Sequence, residues 1–293
     1  LHKSAKLRKL INNKHSIIVP GAYDALSARI ADNLGFKAIF HTGYGTAASV
    51  FGLPDIGLVS FKEMVDHVRN ICDATNVPVI ADADTGYGNS INTMRTIRSY
   101  IQAGAAGLIL EDQKWPKKCG HMKGKEVIES DEMAYKIQAA VEARDEENSD
   151  LVIIARTDSY ASGGIEESLK RIKLYQKAGA DVLFVEAPLD SNDLKKISRA
   201  VNSPLLLNQL EGGKTPIIKF NEAQRLGFKI VLYPLTSLFV AAQGIKEALS
   251  YMIENKTSVG MKNDLMDFNQ LNDLVNLDSF YKLEKQYSSR RKI

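Results

Sequence analysis

Three acidic residues fall where they could jointly hold a cation. Asp82 and Asp84 lie two residues apart at the end of the apolar run Val77–Asp84, so on an extended strand their side chains leave the same face. Glu111 stands near the end of the next such run, Gly107–Asp112. An oxygen-only set of this kind suits Mg²⁺ or Mn²⁺, and Mg²⁺ usually keeps several waters. Asp-x-Asp alone has a plainer explanation, in which Asp84 caps the turn Thr85-Gly86-Tyr87-Gly88. A third carboxylate at the adjacent strand end favours the cation.

The segment Lys117-Lys118-Cys119-Gly120-His121-Met122-Lys123-Gly124-Lys125 follows Trp115-Pro116 and starts as a loop. Cations around Cys119 should lower its pKa and make its proton mobile. Cys72 is different. It lies on the helical stripe Phe61, Met64, Val65, Val68, Ile71, Cys72 and reads as core. The cysteines and histidines lack zinc-ligand spacing. Cys119 and His121 are too close in sequence for a protease-style pair. Gly43-Tyr44-Gly45-Thr46 matches a dinucleotide loop loosely, but Gly52, Pro54 and Gly57 argue against the long helix that such a motif opens. Backbone N–H groups that hold a substrate carboxylate are the better reading.

The elements that must position these groups are short apolar runs alternating with amphipathic ones. The runs are Ile17–Tyr23, Ala38–Thr42, Val77–Asp84, Gly107–Asp112, Leu151–Asp158, Val182–Ala187, Pro204–Asn208 and Ile230–Leu235. Near-continuous Val, Ile, Leu and Ala is the signature of parallel strands buried on both faces. Ala103-Gly104-Ala105 and Ala178-Gly179-Ala180 repeat at the joints, where glycine closes a helix before the next strand. Eight strand–helix units predict an α/β protein with a (β/α)₈ TIM-type barrel, the rival being an open doubly wound sheet. Residues 1–293 then form one barrel domain, with 255–293 as a helical extension whose apolar stripe packs on a partner subunit. The carboxyl ends of the strands carry Thr42, Asp82, Asp84, Glu111, Asp112, Arg156, Thr157, Asp158, Glu186 and Asn208, at the end of a barrel where active sites lie.

Composition narrows the classes. The 293 residues are 44% apolar and 25% charged, with net charge +3, a globular balance. Lys3, Lys6, Arg8, Lys9 and Lys14 at one end, and Arg290, Arg291 and Lys292 at the other, read as solvated tails. No basic stripe with interleaved aromatics points to nucleic acid. No apolar stretch is long enough for a bilayer, and the start lacks a signal-peptide pattern. Two cysteines exclude a disulfide framework and favour a reducing, cytoplasmic setting.

The sequence resembles the isocitrate lyase / phosphoenolpyruvate mutase superfamily, from about Ile17 to the C-terminal tail. The carrying segments are Pro20-Gly21-Ala22-Tyr23-Asp24-Ala25, Gly52-Leu53-Pro54-Asp55, Ala81–Gly88, Glu111-Asp112-Gln113, Lys117–His121, Ala155–Asp158 and Tyr233-Pro234-Leu235. Lys-Lys-Cys-Gly-His after Glu-Asp-Gln points to the lyase branch. The resemblance implies Mg²⁺ held by Asp82, Asp84 and Glu111, partly through water. It implies that Thr42, Gly43 and Tyr44 bind the carboxylate of a 2-oxo acid, with Arg156 on its oxygens. Cys119 would be the acid/base on a mobile gate loop, helped by Lys117 and His121, and Asp55, Gly120, Glu186 and Asn208 match pocket positions. The last helix would be exchanged between paired subunits, usually in a tetramer.

Two departures bear on the substrate. Relatives acting on 2-methylisocitrate carry Ser-Gly-Gly where this chain has Thr42-Gly43-Tyr44, and an arginine where it has Phe239. Losing a bidentate cation weakens binding of a third carboxylate. The expectation is therefore a lyase for a small 2-hydroxy dicarboxylate, 2,3-dimethylmalate before 2-methylisocitrate. The alternatives are oxaloacetate hydrolysis or decarboxylation, and a phosphoenolpyruvate or carboxyphosphonoenolpyruvate phosphonomutase. A non-catalytic binding barrel would predict a degraded site.

Overall fold

The computed structural model describes residues 2–261 and 265–288. Eight runs rich in branched aliphatics become β1 (Ile17–Ala22), β2 (Ile39–His41), β3 (Val79–Asp82), β4 (Gly107–Glu111), β5 (Val152–Thr157), β6 (Val182–Val185), β7 (Leu205–Asn208) and β8 (Phe228–Tyr233). All pair in parallel in chain order, and β1 returns to β8, so the sheet closes into a barrel. The open-sheet alternative is thereby excluded.

The helices are α1 (Lys3–Ile11), α2 (Ala25–Asn33), α3 (Gly43–Phe51), α4 (Phe61–Ala74), α5 (Ser90–Gln102), α6 (Ser130–Glu146), α7 (Tyr160–Lys177), α8 (Ser191–Ala200), α9 (Phe220–Leu226), α10 (Thr236–Asn255), α11 (Phe268–Leu274) and α12 (Leu277–Ser288). Local chemistry sets several starts. Asp24, Ser60 and Asn89 each cap the first turn of α2, α4 and α5 with a side-chain oxygen. Gly104 and Gly179 sit at φ of 89° and 103° between helix and strand, a conformation that costs other residues their Cβ clearance.

Chain contacts divide the molecule into two compact units, 1–238 and 239–293. The first holds two apolar layers. Outside the barrel, strands pack on helices through residues such as Val79, Leu108, Leu110, Ile153 and Leu183. Inside it lie Val19, Phe40, Ile80, Ile109, Ile154, Phe184, Leu206 and Leu232, joined by Leu7 and Ile11 of α1.

In the N-terminal segment Lys6, Lys9 and Lys14 are exposed, as expected of solvated charges, whereas Lys3 and Arg8 are not. Leu7 and Ile11 are buried, and Lys3 and Arg8 are partly buried beside this apolar pair. Arg8 reaches Asp181 at 2.7 Å and the Leu151 carbonyl at 3.0 Å, and Lys3 Nζ donates to the Cys72 carbonyl at 2.7 Å. The basic cluster Arg290, Arg291 and Lys292 lies outside the described residues.

In the second unit, Leu249, Met252, Leu265, Phe268, Leu271 and Phe280 are exposed, and α10, α11 and α12 contain no buried residue. Among the described residues, no helix is long and apolar enough to cross a membrane.

Candidate active site

Strand register explains where the polar residues go. The last interior apolar residues of β2, β3, β4, β5, β6 and β7 are Phe40, Ile80, Ile109, Ile154, Phe184 and Leu206. Two residues further along each strand, on the same face, come Thr42, Asp82, Glu111, Arg156, Glu186 and Asn208. The barrel interior therefore changes from apolar to ionisable within one layer. Above that layer is a narrow cleft with about 50 Å³ of free room. Thr42, Tyr44, Asp55, Asp82, Glu111, Lys117, Cys119, His121, Arg156 and Asn208 all reach its wall.

The three expected metal-binding carboxylates are neighbours. Asp82 Oδ1 accepts from the Asp84 amide at 3.1 Å, and the Glu111 amide donates to the Asp84 carbonyl at 2.9 Å. Asp84 takes φ of 46° to make this turn, a left-handed value that aspartate adopts more readily than most residues. Among the described residues no three carboxylate, histidine or cysteine side chains converge tightly enough to hold a metal as they stand. The cation facing Asp84 is Lys117, whose Nζ lies 2.8 Å from Asp84 Oδ1 and also contacts Asp55.

The donor set nevertheless fits a hard cation. Glu111 Oε1 is buried with no hydrogen-bond donor, a costly state for a carboxylate oxygen, and Asp84 Oδ1 has the Lys117 ammonium at 2.8 Å as its partner. Burial pushes both carboxyls upward, further than Lys117 and Arg156 pull them back. Lys117 is the reverse case. Burial alone would neutralise it, but Asp84 and Asp55 hold it firmly charged.

Arg156 is clamped flat. Its Nε and Nη2 meet Asp158 at 2.8 and 3.0 Å, its Nη1 lies 3.3 Å from Glu111, and its guanidinium stands 5.4 Å from the Phe184 ring centre. Asp158 is buried, which raises its pKa, but Arg156 and Lys125 outweigh that and hold it at about 2. Asp158 and Lys125 are the site residues whose roles the sequence did not disclose. Asp158 had a signal, since it lies two residues after Arg156 on one strand end. Asp112 stands apart from the cleft. It is buried among Thr157, Arg171 and Tyr175 and accepts the Asp158 amide at 2.9 Å.

The loop carrying Cys119 lies down over this layer. Gln113 and Val127 pair across its base, and the Gln113 side chain holds both the amide and the carbonyl of Lys118. His121 Nδ1 accepts the Lys214 amide at 2.9 Å, so its Nε2 bears the proton and donates to Glu186 at 2.7 Å. Burial raises the Glu186 carboxyl, yet Arg156 and His121 leave it below the usual range. Asn208 Nδ2 lies 3.3 Å from both Glu186 oxygens. Gly120 is pressed so close that a Cβ there would fall 2.4 Å from Arg156 Nη2.

Cys119 corrects one expectation. Its thiol is pushed up to about 11, chiefly by burial, with the His121 backbone and Arg156 only partly offsetting it. Lys117 turns to Asp55 and Asp84, and Lys118 Nζ donates to the Gly124 carbonyl at 2.8 Å. The thiol is therefore a stable proton reservoir rather than a thiolate.

The Gly43 segment opens α3, with Thr42 as its cap. Thr42 Oγ1 accepts the Gly45 amide at 3.1 Å, and the Gly43 amide donates to Asp82 Oδ2 at 3.2 Å. A Cβ on Gly43 would lie 2.7 Å from that oxygen. Two amides proposed for a substrate are thus bonded within the chain, and Gly43 is needed so that backbone and carboxylate can meet. Phe239 begins the second unit and is 40% exposed.

A closed parallel barrel with hard oxygen donors, a clamped arginine and a protonated thiol at one end is an enzyme site for small acids. The chain belongs to the phosphoenolpyruvate mutase / isocitrate lyase superfamily, matching the family model for phosphoenolpyruvate phosphomutase over residues 7–253. It is 42% identical to 2,3-dimethylmalate lyase of Eubacterium barkeri, over 99% of this chain and 100% of that one. It is 43% identical to a chloroplastic carboxyvinyl-carboxyphosphonate phosphorylmutase of Arabidopsis thaliana, over 98% and 85% of the two chains. A solved oxaloacetate acetylhydrolase in complex with the inhibitor 3,3-difluorooxalacetate superposes with TM-score 0.94 at 36% identity, covering 98% of this chain and 97% of that one.

Proposed function

We propose that the cleft cleaves the C2–C3 bond of a small 2-hydroxy dicarboxylate, with 2,3-dimethylmalate the leading substrate and 2-methylisocitrate next. The observation that carries this is the protonated Cys119 thiol held on a closed loop over the layer containing Asp82, Glu111 and Arg156. Mg²⁺, with Mn²⁺ the alternative, would be held by Asp82, Asp84 and Glu111 and would polarise the C2 oxygen and adjacent carboxylate.

In this reading Arg156 stabilises the oxygen that becomes a carbonyl. The 2-hydroxyl gives its proton to a base, C2–C3 breaks, and the bonding electrons pass to C3 as a carboxylate enolate. Cys119 then protonates that carbon. Dimethylmalate yields pyruvate and propionate, with all atoms accounted for. Thr42, Gly43 and Tyr44 shape the carboxylate end of the cleft, while Lys117, Gly120 and His121 hold the loop closed and water out.

Hydrolysis of oxaloacetate to oxalate and acetate is the second reading, favoured by the likeness to the acetylhydrolase. Phosphonomutase chemistry ranks below both, because the loop carries Cys119.

The exposed apolar faces of α11 and α12 support a homo-oligomer, a dimer of helix-swapped dimers. Two free cysteines suit a reducing, cytoplasmic setting.

The test is Mg²⁺-dependent turnover of dimethylmalate, methylisocitrate and oxaloacetate by wild type and Cys119→Ser. Pyruvate release that falls at least 100-fold in the variant is expected, since general acid catalysis contributes about 10²–10⁴-fold. A serine variant of full activity would remove Cys119 from the chemistry.

A further inference from the structure

Lys125 belongs to an otherwise solvated part of the loop, with Lys123, Gly124 and Glu126 all exposed. Its own side chain is 1% exposed. Its Nζ lies 2.8 Å from Asp158 Oδ1 and also donates to the Gly120 carbonyl. Asp158 Oδ1 is the oxygen that accepts Arg156 Nη2 at 3.0 Å. One carboxylate oxygen is therefore shared between a barrel cation and a loop cation. Asp158 is itself fixed from behind, because its amide donates to Asp112 and Asp112 is held by Arg171 and Tyr175. An ammonium costs little in water and much in a protein interior unless it is paired. Lys125 can be buried in this way only when the loop is down.

We propose that Lys125 is a positioning residue that couples loop closure to the alignment of Arg156. Its pair with Asp158 fixes the oxygen that orients the guanidinium. Its bond to the Gly120 carbonyl holds that backbone against the face of Arg156, where a Cβ would have 2.4 Å of clearance. Lys125 does not line the cleft, so its effect reaches the substrate through Arg156. The activity arm of the test rests on the lyase reading, whereas the latch can be read without any turnover.

That readout is alkylation of Cys119 by iodoacetamide at pH 8, followed by peptide mass spectrometry, with buried Cys72 as the fold control. Closed-loop burial holds the Cys119 thiol at about 11 against an ordinary value near 9. Full opening therefore raises the thiolate fraction, and the rate, by up to about a hundredfold. Lys125→Met and Lys125→Gln should each alkylate at least tenfold faster than wild type while Cys72 stays unreactive. Lys125→Gln keeps a donor for the Gly120 carbonyl but no charge for Asp158. Asp158→Asn should open the loop to the same degree, and the double variant Asp158→Asn/Lys125→Met should add less than twofold. On dimethylmalate, Lys125→Met should lower kcat at least tenfold. Alkylation of both lysine variants at the wild-type rate, or multiplicative effects in the double variant, would overturn the latch. Unchanged kcat in an active enzyme would overturn the coupling. If wild type turned over no dicarboxylate, the lyase reading would fail and the alkylation rates would still decide the latch.

Discussion

Replacing Gly120 with alanine asks one methyl group to enter a close contact between the loop and the barrel. Its Cβ would stand 2.4 Å from Arg156 Nη2 and 2.5 Å from Glu186 Cγ, well inside van der Waals separation. Both neighbours are held, Arg156 by Asp158 and Glu186 by His121 and Asn208, so neither can yield cheaply. Overpacking of this kind costs about 1–3 kcal/mol. The loop escapes the cost by lifting, which leaves the barrel core untouched. The closed state is then depopulated about 5- to 150-fold at roughly 1.4 kcal/mol per factor of ten. Gly120→Ala should therefore lose that much kcat/KM on dimethylmalate with Mg²⁺, while Tm moves little, because a lifted loop leaves the packing of the barrel core as it was. Wild-type kcat/KM in the variant would refute the closed loop as the working geometry. A loss of activity that tracked a large fall in Tm would refute the separation of loop from barrel.

Two further outcomes follow from the same charges. Because burial raises the Cys119 thiol to about 11, its proton is present at neutral pH and is lost only as pH rises through that region. The kcat profile should lack an alkaline limb below about pH 9 on the ordinary thiol scale, and a limb near pH 7 would contradict the donor role. Asp84→Asn and Glu111→Gln should each weaken Mg²⁺ binding at least about tenfold by isothermal calorimetry without substrate, given what even outer ligand partners contribute. Unaltered affinity in both would remove them from the metal site.

Much of this architecture was legible in the residues. Parallel strands buried on both faces leave unbroken runs such as Gly107–Asp112, and the step from Ile109 to Glu111 marks where the barrel interior ends. The carboxylate group was legible because adjacent strand ends bring Asp82 and Glu111 together once the sheet closes. Other features depend on burial, which sequence spacing does not report. Cys119 sits among lysines in sequence, yet Lys117 spends its charge on Asp55 and Asp84, and the thiol meets a low-dielectric cleft. Lys125 and Asp158 are 33 positions apart in sequence and meet where the loop crosses the barrel end. Helix α1 was obscured because Arg8 and Lys3 flank its apolar residues, and both cations lie along the barrel base rather than in water.

The most direct test of the central claim is proton NMR of 2,3-dimethylmalate with the enzyme and Mg²⁺ in D₂O. An enzyme that breaks C2–C3 and protonates C3 from an exchangeable thiol should release pyruvate together with propionate carrying a single deuterium at C2. Dimethylmalate left unconsumed, or propionate released without deuterium at C2, would contradict it.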